Sequence, residues 1–403
     1  MRRIGVRMKR NPITLDRPER FSEVPTISPE KIENAIKVAT ERLEKMGQKH
    51  GTDFPGTTAY YMQYKYGPNN NWGCGMYTGC YWLAWQLTGK KWFKTQAEAL
   101  TDTFQKRIDD KVGVDDHDVG FAFTPSCVAA YRLTGVRSAK KAALDAADYF
   151  YEKGYSKEGK FIIRSWKSWS TGSGCRTMMD SLMNAPLLYW AANETGNEEY
   201  FQAAHDHVKT TEEYLIRADS SSNHHYQFDP ETAAPVRGVT LQGHSDDSCW
   251  SRGHSWGVYG LPIAYSYDKS EFIKDVHRDI TYFMLNHLPE DCIPYWDYDF
   301  VDGDEPRDSS AAVIAICGLF EMARNLDDSD INKTVFRSAA TQMLEAVIDK
   351  CTSGFGPYDD GLIDHVTAAL PQKIGIEQSA VYGDYFYLEA LARYVNPDFK
   401  MYW

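Results

Sequence analysis

The chain has 403 residues, 43% of them apolar and 14% aromatic, which is ample material for a large core. Its formal charge is −12 and it carries no long basic run, which excludes nucleic acid and anionic membrane as natural partners, since both call for a basic footprint. No signal peptide or spanning segment is visible and the eight cysteines are scattered, so buried free thiols in the cytoplasm are expected.

Residues 1–28, rich in proline and charge, read as an extended N-terminal arm, and residues 29–403 as one domain. The first helix is expected from Pro29, capped by Ser28, to Gly47. A pattern then recurs in which an apolar, aromatic-rich helix ends in a short turn and a charge-rich amphipathic helix follows. Tyr81-Trp-Leu-Ala-Trp-Gln-Leu-Thr-Gly89, Ala129-Ala-Tyr-Arg-Leu-Thr-Gly135 and Tyr189-Trp-Ala-Ala-Asn-Glu-Thr-Gly196 are its clear copies, with Thr-Gly as the C-cap. Degenerate copies stand at 263–268, 320–327 and 388–395. The apolar helices are expected at 74–88, 119–133, 177–195, 252–267, 309–325 and 379–395. The amphipathic ones are expected at 29–47, 92–110, 137–153, 198–217, 270–288 and 331–350. An alternating series that closes on itself buries one helix of each hairpin in an inner ring, which predicts an all-α (α/α)6 barrel. An open solenoid would want polar end repeats, and the last apolar helix is as apolar as the middle ones.

The long connections 48–73, 154–176, 218–251, 289–308 and 351–378 all enter the N-terminal ends of apolar helices. They therefore gather at one mouth, where the helix dipoles are positive. Trp72 precedes the first apolar helix, and His117 and Asp118 open the second. Asp180 lies near the start of the third, with Asn184 four residues on and on the same face. Gln242, Arg252 and Trp256 fall in the stretch that opens the fourth. Met179, Leu182, Met183, Leu187 and Leu188 surround Asp180, so ionising it is costly and it is a candidate general acid; plain helix capping is the alternative. Trp72, Trp166, Trp169, Trp250 and Trp256 suit stacking on sugar rings, or plugging of the mouth. Asp118 and Asp180, from neighbouring helices, are expected to face each other across the cavity, the kind of carboxylate pair that glycosidic chemistry commonly uses. His117, His224, His225, His244 and His254 have no standard zinc spacing, so no metal or other cofactor is expected.

Five stretches carry a resemblance: His117-Asp-Val-Gly-Phe121, Asp180-Ser-Leu-Met-Asn-Ala-Pro-Leu-Leu-Tyr-Trp-Ala191, Phe228-Asp-Pro-Glu-Thr232, Gln242-Gly-His-Ser-Asp-Asp-Ser-Cys-Trp-Ser-Arg-Gly-His-Ser-Trp-Gly257 and Ser379-Ala-Val-Tyr-Gly-Asp-Tyr385. From residue 60 or so onward they closely resemble the unsaturated glucuronyl hydrolases of glycoside hydrolase family 88. The resemblance implies an (α/α)6 barrel acting on oligosaccharides left by a polysaccharide lyase, whose non-reducing uronic acid has a C4=C5 double bond. It implies vinyl-ether hydration: a proton to C4, water to C5, and opening of the hemiketal with loss of the neighbouring sugar. By motif, Asp180 resembles the general acid and base and Asp118 the second carboxylate, which positions hydroxyls and repels charge on its partner. His117, Gln242 and Arg252 resemble substrate-binding positions, Arg252 offsetting the uronate. Trp72, Trp166 and Trp256 resemble aromatic walls, with Trp169 the alternative to Trp166. His224 resembles a binding histidine, with His225 beside it as the alternative register. Unsulfated or lightly sulfated chondroitin- or hyaluronan-type disaccharides are the expected substrates, and Lys373 is the obvious cation of the 351–378 loop. An unsaturated rhamnogalacturonyl hydrolase shares fold and chemistry. A non-catalytic glycan-binding toroid would not need both Asp118 and Asp180, and a sugar epimerase would rely on paired catalytic histidines. The oligomeric state is not set by these motifs.

Overall fold

The Thr-Gly pairs end helices as their chemistry allows: Gly89, Gly135 and Gly196 take the left-handed conformation, at φ of +68°, +71° and +74°. The computed structural model describes residues 10–166 and 175–403. Inner positions of the barrel are occupied, in chain order, by Gly73–Thr88, the run from Val119–Phe123 to Ala129–Thr134, Pro186–Thr195, Ser251–Tyr267, Ser309–Asn325 and Val381–Val395. Outer positions are occupied by Pro29–His50, Lys91–Thr101 with Phe104–Asp109, Arg137–Gly154, Glu198–Thr210, Glu271–Asn286 and Ile331–Lys350. Each inner helix packs on the next, and the sixth packs on the first, so the ring is closed. The fourth inner helix is buried without interruption from Ser251 to Tyr265, whereas the outer helices bury one stripe each.

Two inner helices depart from the expected continuous form. Pro125 lacks an N–H, and Thr124–Val128 relaxes into a π turn there. The third helix does not start at 177. Arg176–Met178 is a strand, Met179–Met183 a 3-10 turn, and the α-helix begins only at Pro186, where a missing N–H costs nothing. Asp180 thus sits on a tight turn rather than in the first turns of an α-helix.

The long connections carry the short strands. The largest sheet is antiparallel and joins Arg176–Met178, His225–Phe228 and Pro235–Val239, with Met178 opposite His225. Phe161–Ile162 pairs with Tyr155–Ser156 as a short ladder. Below the mouth the barrel axis is filled by rings. Phe121 meets Trp256 at 5.1 Å, Trp256 meets Phe386 at 5.5 Å, and Phe386 stacks on Trp403 at 5.9 Å. Deeper still, Arg393 bonds Glu321 (2.6 Å), Glu389 (2.9 Å) and the Tyr259 hydroxyl (2.7 Å), an ion network that satisfies its own buried charges.

Residues 10–28 are laced over the outside. Arg10 pairs with Glu212 and Asp279, and the Asp16 amide donates to Asn286. Arg20 donates to the Pro289 carbonyl, Gln342 donates to the Arg20 carbonyl, and the Ile27 amide donates to the Tyr394 hydroxyl. The segment therefore crosses the fourth, fifth and sixth outer helices. All eight cysteines are buried and none is in a disulfide. Among the described residues no helix is long and apolar enough to cross a membrane.

Candidate active site

The second and third inner elements approach as closely as backbones can. A Cβ on Gly120 would lie 2.4 Å from the Asn184 Cα, so only glycine fits. Asn184 locks the contact: its Oδ1 accepts from the Phe121 amide at 2.6 Å, and its Nδ2 donates to the Asp180 carbonyl at 3.1 Å. Asp118, two residues before Gly120, and Asp180, four before Asn184, are thereby brought to one place.

Asp118 stands at the N-cap position of the second inner helix, makes no capping hydrogen bond with its side chain, and keeps 20% of its side-chain surface open. Burial pushes its carboxyl up to about 7; the Asp116 and Asp180 carboxylates add to the rise and His117 opposes it. Burial likewise pushes Asp180 up to about 6, opposed by His117, Arg252 and Arg164. Asp180 Oδ1 is buried and has no hydrogen-bond partner. His117 is held by Arg164: its amide and its Nδ1 both lie against the Arg164 carbonyl, at 3.1 and 2.9 Å. Nδ1 must then carry the proton, because a carbonyl only accepts. His117 Nε2 lies 3.2 Å from Asp118 Oδ1 but off the axis of a hydrogen bond, which leaves it unpartnered.

His224 receives the Leu241 amide on Nδ1 at 3.3 Å, which assigns its proton to Nε2. That N–H is buried and unpartnered, a donor without an acceptor. Burial and the charges of Arg252, Arg164 and Arg176 hold the ring neutral. His225 is also held neutral, by burial, His224, Arg176 and Arg164. Of the two registers left open, His224 is the one packed on Trp250, the ring over which Arg252 lies.

A chain of rings and cations continues around the mouth. His224 packs on Trp250 (4.3 Å), Arg252 lies over Trp250 (4.5 Å) and Tyr382 (5.1 Å), and Tyr382 stacks on Trp72 (5.2 Å). Arg252, expected to offset the uronate, also has partners within the protein. It is ion-paired with Asp308, donates to the Thr367 carbonyl at 2.8 Å, and also reaches the Ala368 carbonyl. Gln242 donates to that same Ala368 carbonyl at 2.8 Å. Both residues thus clamp the 366–369 loop onto the site. Trp256 differs from expectation: it is 2% exposed and packs below the mouth, so it supports the site floor rather than forming a wall. Trp166 is half-buried, with its ring against Tyr149 and Phe150 of the third outer helix. Trp169 lies outside the described residues. Lys373 is exposed, at the end of a 3-10 turn in the 351–378 loop.

Several contributors were not singled out by sequence reasoning. Arg107 ties down the loop before Trp72 through Asn69 Oδ1 and the Asn71 carbonyl, both at 2.9 Å. Tyr382 lies in a quoted motif, yet nothing in the motif marks its ring as the neighbour of Trp72. Asp116 stands beside Asp118, donating charge, and accepts its amide at 3.1 Å. Asp116, His117 and Asp118 offer three ligand-type atoms within 4.8 Å of one another, the grouping that a cation would find among the described residues. His117 Nδ1 is already committed to the Arg164 carbonyl, which leaves a thin donor set.

The model of Glycosyl Hydrolase Family 88 matches residues 45–369. An unsaturated chondroitin disaccharide hydrolase of Streptococcus pneumoniae is 39% identical over 388 residues, 96% of this chain and 97% of its own. The crystal structure of an unsaturated glucuronyl hydrolase from Streptococcus agalactiae superposes with a TM-score of 0.93 at 35% identity, covering 98% of this chain and 100% of that one. A mutant of that enzyme complexed with dGlcA-GalNAc6S superposes with a TM-score of 0.86 at 34% identity, over 98% and 100% of the two chains.

Proposed function

The chain belongs to Glycosyl Hydrolase Family 88, and from that premise we propose that it removes the 4,5-unsaturated uronic acid from the non-reducing end of lyase-generated glycosaminoglycan disaccharides, those of chondroitin first. It is a glycoside hydrolase, and its chemistry follows from the substrate's vinyl ether. The observation that carries the reading is a pair of half-buried carboxyls, Asp118 and Asp180, both held near neutral pKa, with Asp180 Oδ1 unpartnered.

Asp180 delivers its proton to C4, and positive charge develops at C5 and is shared with the ring oxygen. The Asp180 carboxylate so formed is stabilised by His117, Arg252 and Arg164. It then takes a proton from the water that adds at C5. The C5 hemiketal opens to a ketone, and the C1 hemiacetal that this leaves expels the neighbouring sugar. Asp118, its own carboxyl raised by burial and by the Asp116 and Asp180 charges, stands beside the ring as the second carboxyl and positions its hydroxyls. Trp72 supplies an apolar wall, backed by the buried Tyr382 ring on which it stacks, and His224 Nε2–H a directed donor.

The test follows the ultraviolet band of the conjugated double bond during incubation with unsaturated chondroitin and hyaluronan disaccharides. Loss of the band with release of the amino sugar is expected, and Asp180→Asn should bind substrate and lose nearly all turnover. Turnover only of unsaturated rhamnogalacturonan would move the chain to that specificity. Binding without turnover would make it a glycan-binding toroid.

The same reading assigns the enzyme to the cytoplasm, supported by eight buried cysteines without a disulfide. It treats residues 29–403 as one catalytic domain and the arm 1–28 as its strap, supported by the contacts of residues 10–28.

A further inference from the structure

Between Glu158 and Asp180 the sequence carries Lys160, Arg164, Lys167 and Arg176 and no acid, in a chain of net charge −12. Two of these cations are fixed at the site. The Arg164 amide donates to the Arg176 carbonyl at 2.8 Å, so the residues are neighbours. Arg164 holds His117, beside Asp118, and Asp180 follows Arg176 by four residues. Both side chains are partly exposed, and the Nε of each is buried without a partner. Arg107, Arg217 and Arg393 are each held by several acceptors. Arg164 and Arg176 have no carboxylate partner among the described residues, and residues 167–174, which lie outside them, contain no acid in their sequence. Across the strand pair from Met178, His225 is 1% exposed and neither of its ring nitrogens is hydrogen-bonded. Arg164 acts on Asp118 and Asp180 through space but is ion-paired with neither, and buried polar atoms without partners beside two such guanidinium groups describe a site completed by an anion.

We infer that Arg164 and Arg176 form an anion subsite beside the carboxylate pair, taking an oxyanion, either a sulfate ester or a carboxylate, that the substrate carries outside its reacting ring. The inference rests on the proposed reading of the site as one for lyase-generated oligosaccharides. Arg252 differs from this pair because Asp308 already compensates its charge.

The test compares wild type with Arg164→Gln/Arg176→Gln on three unsaturated substrates: an unsulfated disaccharide, a disaccharide with a sulfate ester on its second ring, and an unsulfated tetrasaccharide with a second uronate. The KM of the variant should rise about tenfold more on one of the anion-bearing substrates than on the unsulfated disaccharide, the worth of one charged hydrogen bond. The substrate that responds separates sulfate from carboxylate, and Arg164→Lys/Arg176→Lys should recover part of the loss. An equal change on all three substrates, or none, overturns the subsite. Arg176→Gln alone repeats the comparison if the double variant does not fold. Failure of wild type on every substrate would instead overturn the proposed function. The subsite then stands or falls on inorganic sulfate at constant ionic strength, which should raise the Tm of wild type more than that of the variant; equal shifts overturn it.

Discussion

Asp180→Asn should make the protein more stable while it destroys the chemistry. The carboxyl titrates at 3.8 when free and at about 6 in the folded chain, because burial disfavours its charged form. Below pH 3.8 it is protonated in both states and costs nothing. As pH rises, the unfolded chain releases the proton first, so folding stability falls until about pH 6 and then stays level. At 1.36 kcal/mol per pH unit the penalty at pH 7 is about 3 kcal/mol, a ceiling because the side chain retains some exposure. Asparagine has the same shape and no charge to bury, so it removes the penalty. At ~2.1 cal/mol/K per residue, 403 residues convert about 3 kcal/mol into a Tm rise of about 3 to 4 °C. The measurement is thermal unfolding of wild type and variant at pH 4 and pH 7. The gap should open at pH 7 and nearly close at pH 4. A variant no more stable than wild type at pH 7, or a gap of equal size at both pH values, refutes the reasoning.

Because the free enzyme must hold the Asp180 proton, kcat/KM should fall as pH rises above about 6, and a pH–rate profile flat to pH 9 would contradict the acid role. Gly120→Ala drives a methyl into the Asn184 backbone, so urea unfolding should show a loss of about 1 to 3 kcal/mol. Displacing Asp118 from Asp180 should also lower its kcat by roughly 10²-fold, and unchanged kcat would mean that the Gly120–Asn184 contact does not set the pair. Arg252→Met leaves Asp308 buried without its cation and should cost about 3 to 5 kcal/mol in urea unfolding; a neutral substitution would show that the pair is not needed.

The barrel was legible because its signals are periodic. Three Thr-Gly caps and alternating helix character locate the hairpins, and the closure follows from the apolar sixth helix. What the sequence hid are breaks in that periodicity. The turn at Met179–Met183 interrupts a stretch that reads as continuous helix, and its cause, Pro186, is a residue helices also welcome at their starts. The placement of Asp118 beside Asp180 follows from the Gly120–Asn184 contact, made across 64 residues of chain, which no local pattern reports. Side chains were the least legible. A tryptophan at a helix start can face the cavity or the core, and Trp72 and Trp256 divide that way because one precedes its helix while the other lies a turn inside. Arg252 reads as an anion binder, and its partner Asp308 comes from the start of another helix.

Closure of the ring sets the order in which the chain can acquire its structure. The flank of Gly73–Thr88 that receives Val381–Val395 has no partner until nearly the whole chain has been synthesised, and that flank is lined by buried residues from Cys74 to Ala84. A nascent chain therefore holds an open, apolar arc for most of its synthesis, and the contact that ends this state is one of the longest-range in the molecule. Such a topology folds late and slowly, and while the arc is open it is exposed to wrong association with other chains. Expression yield should thus depend on how fast the last hairpin arrives.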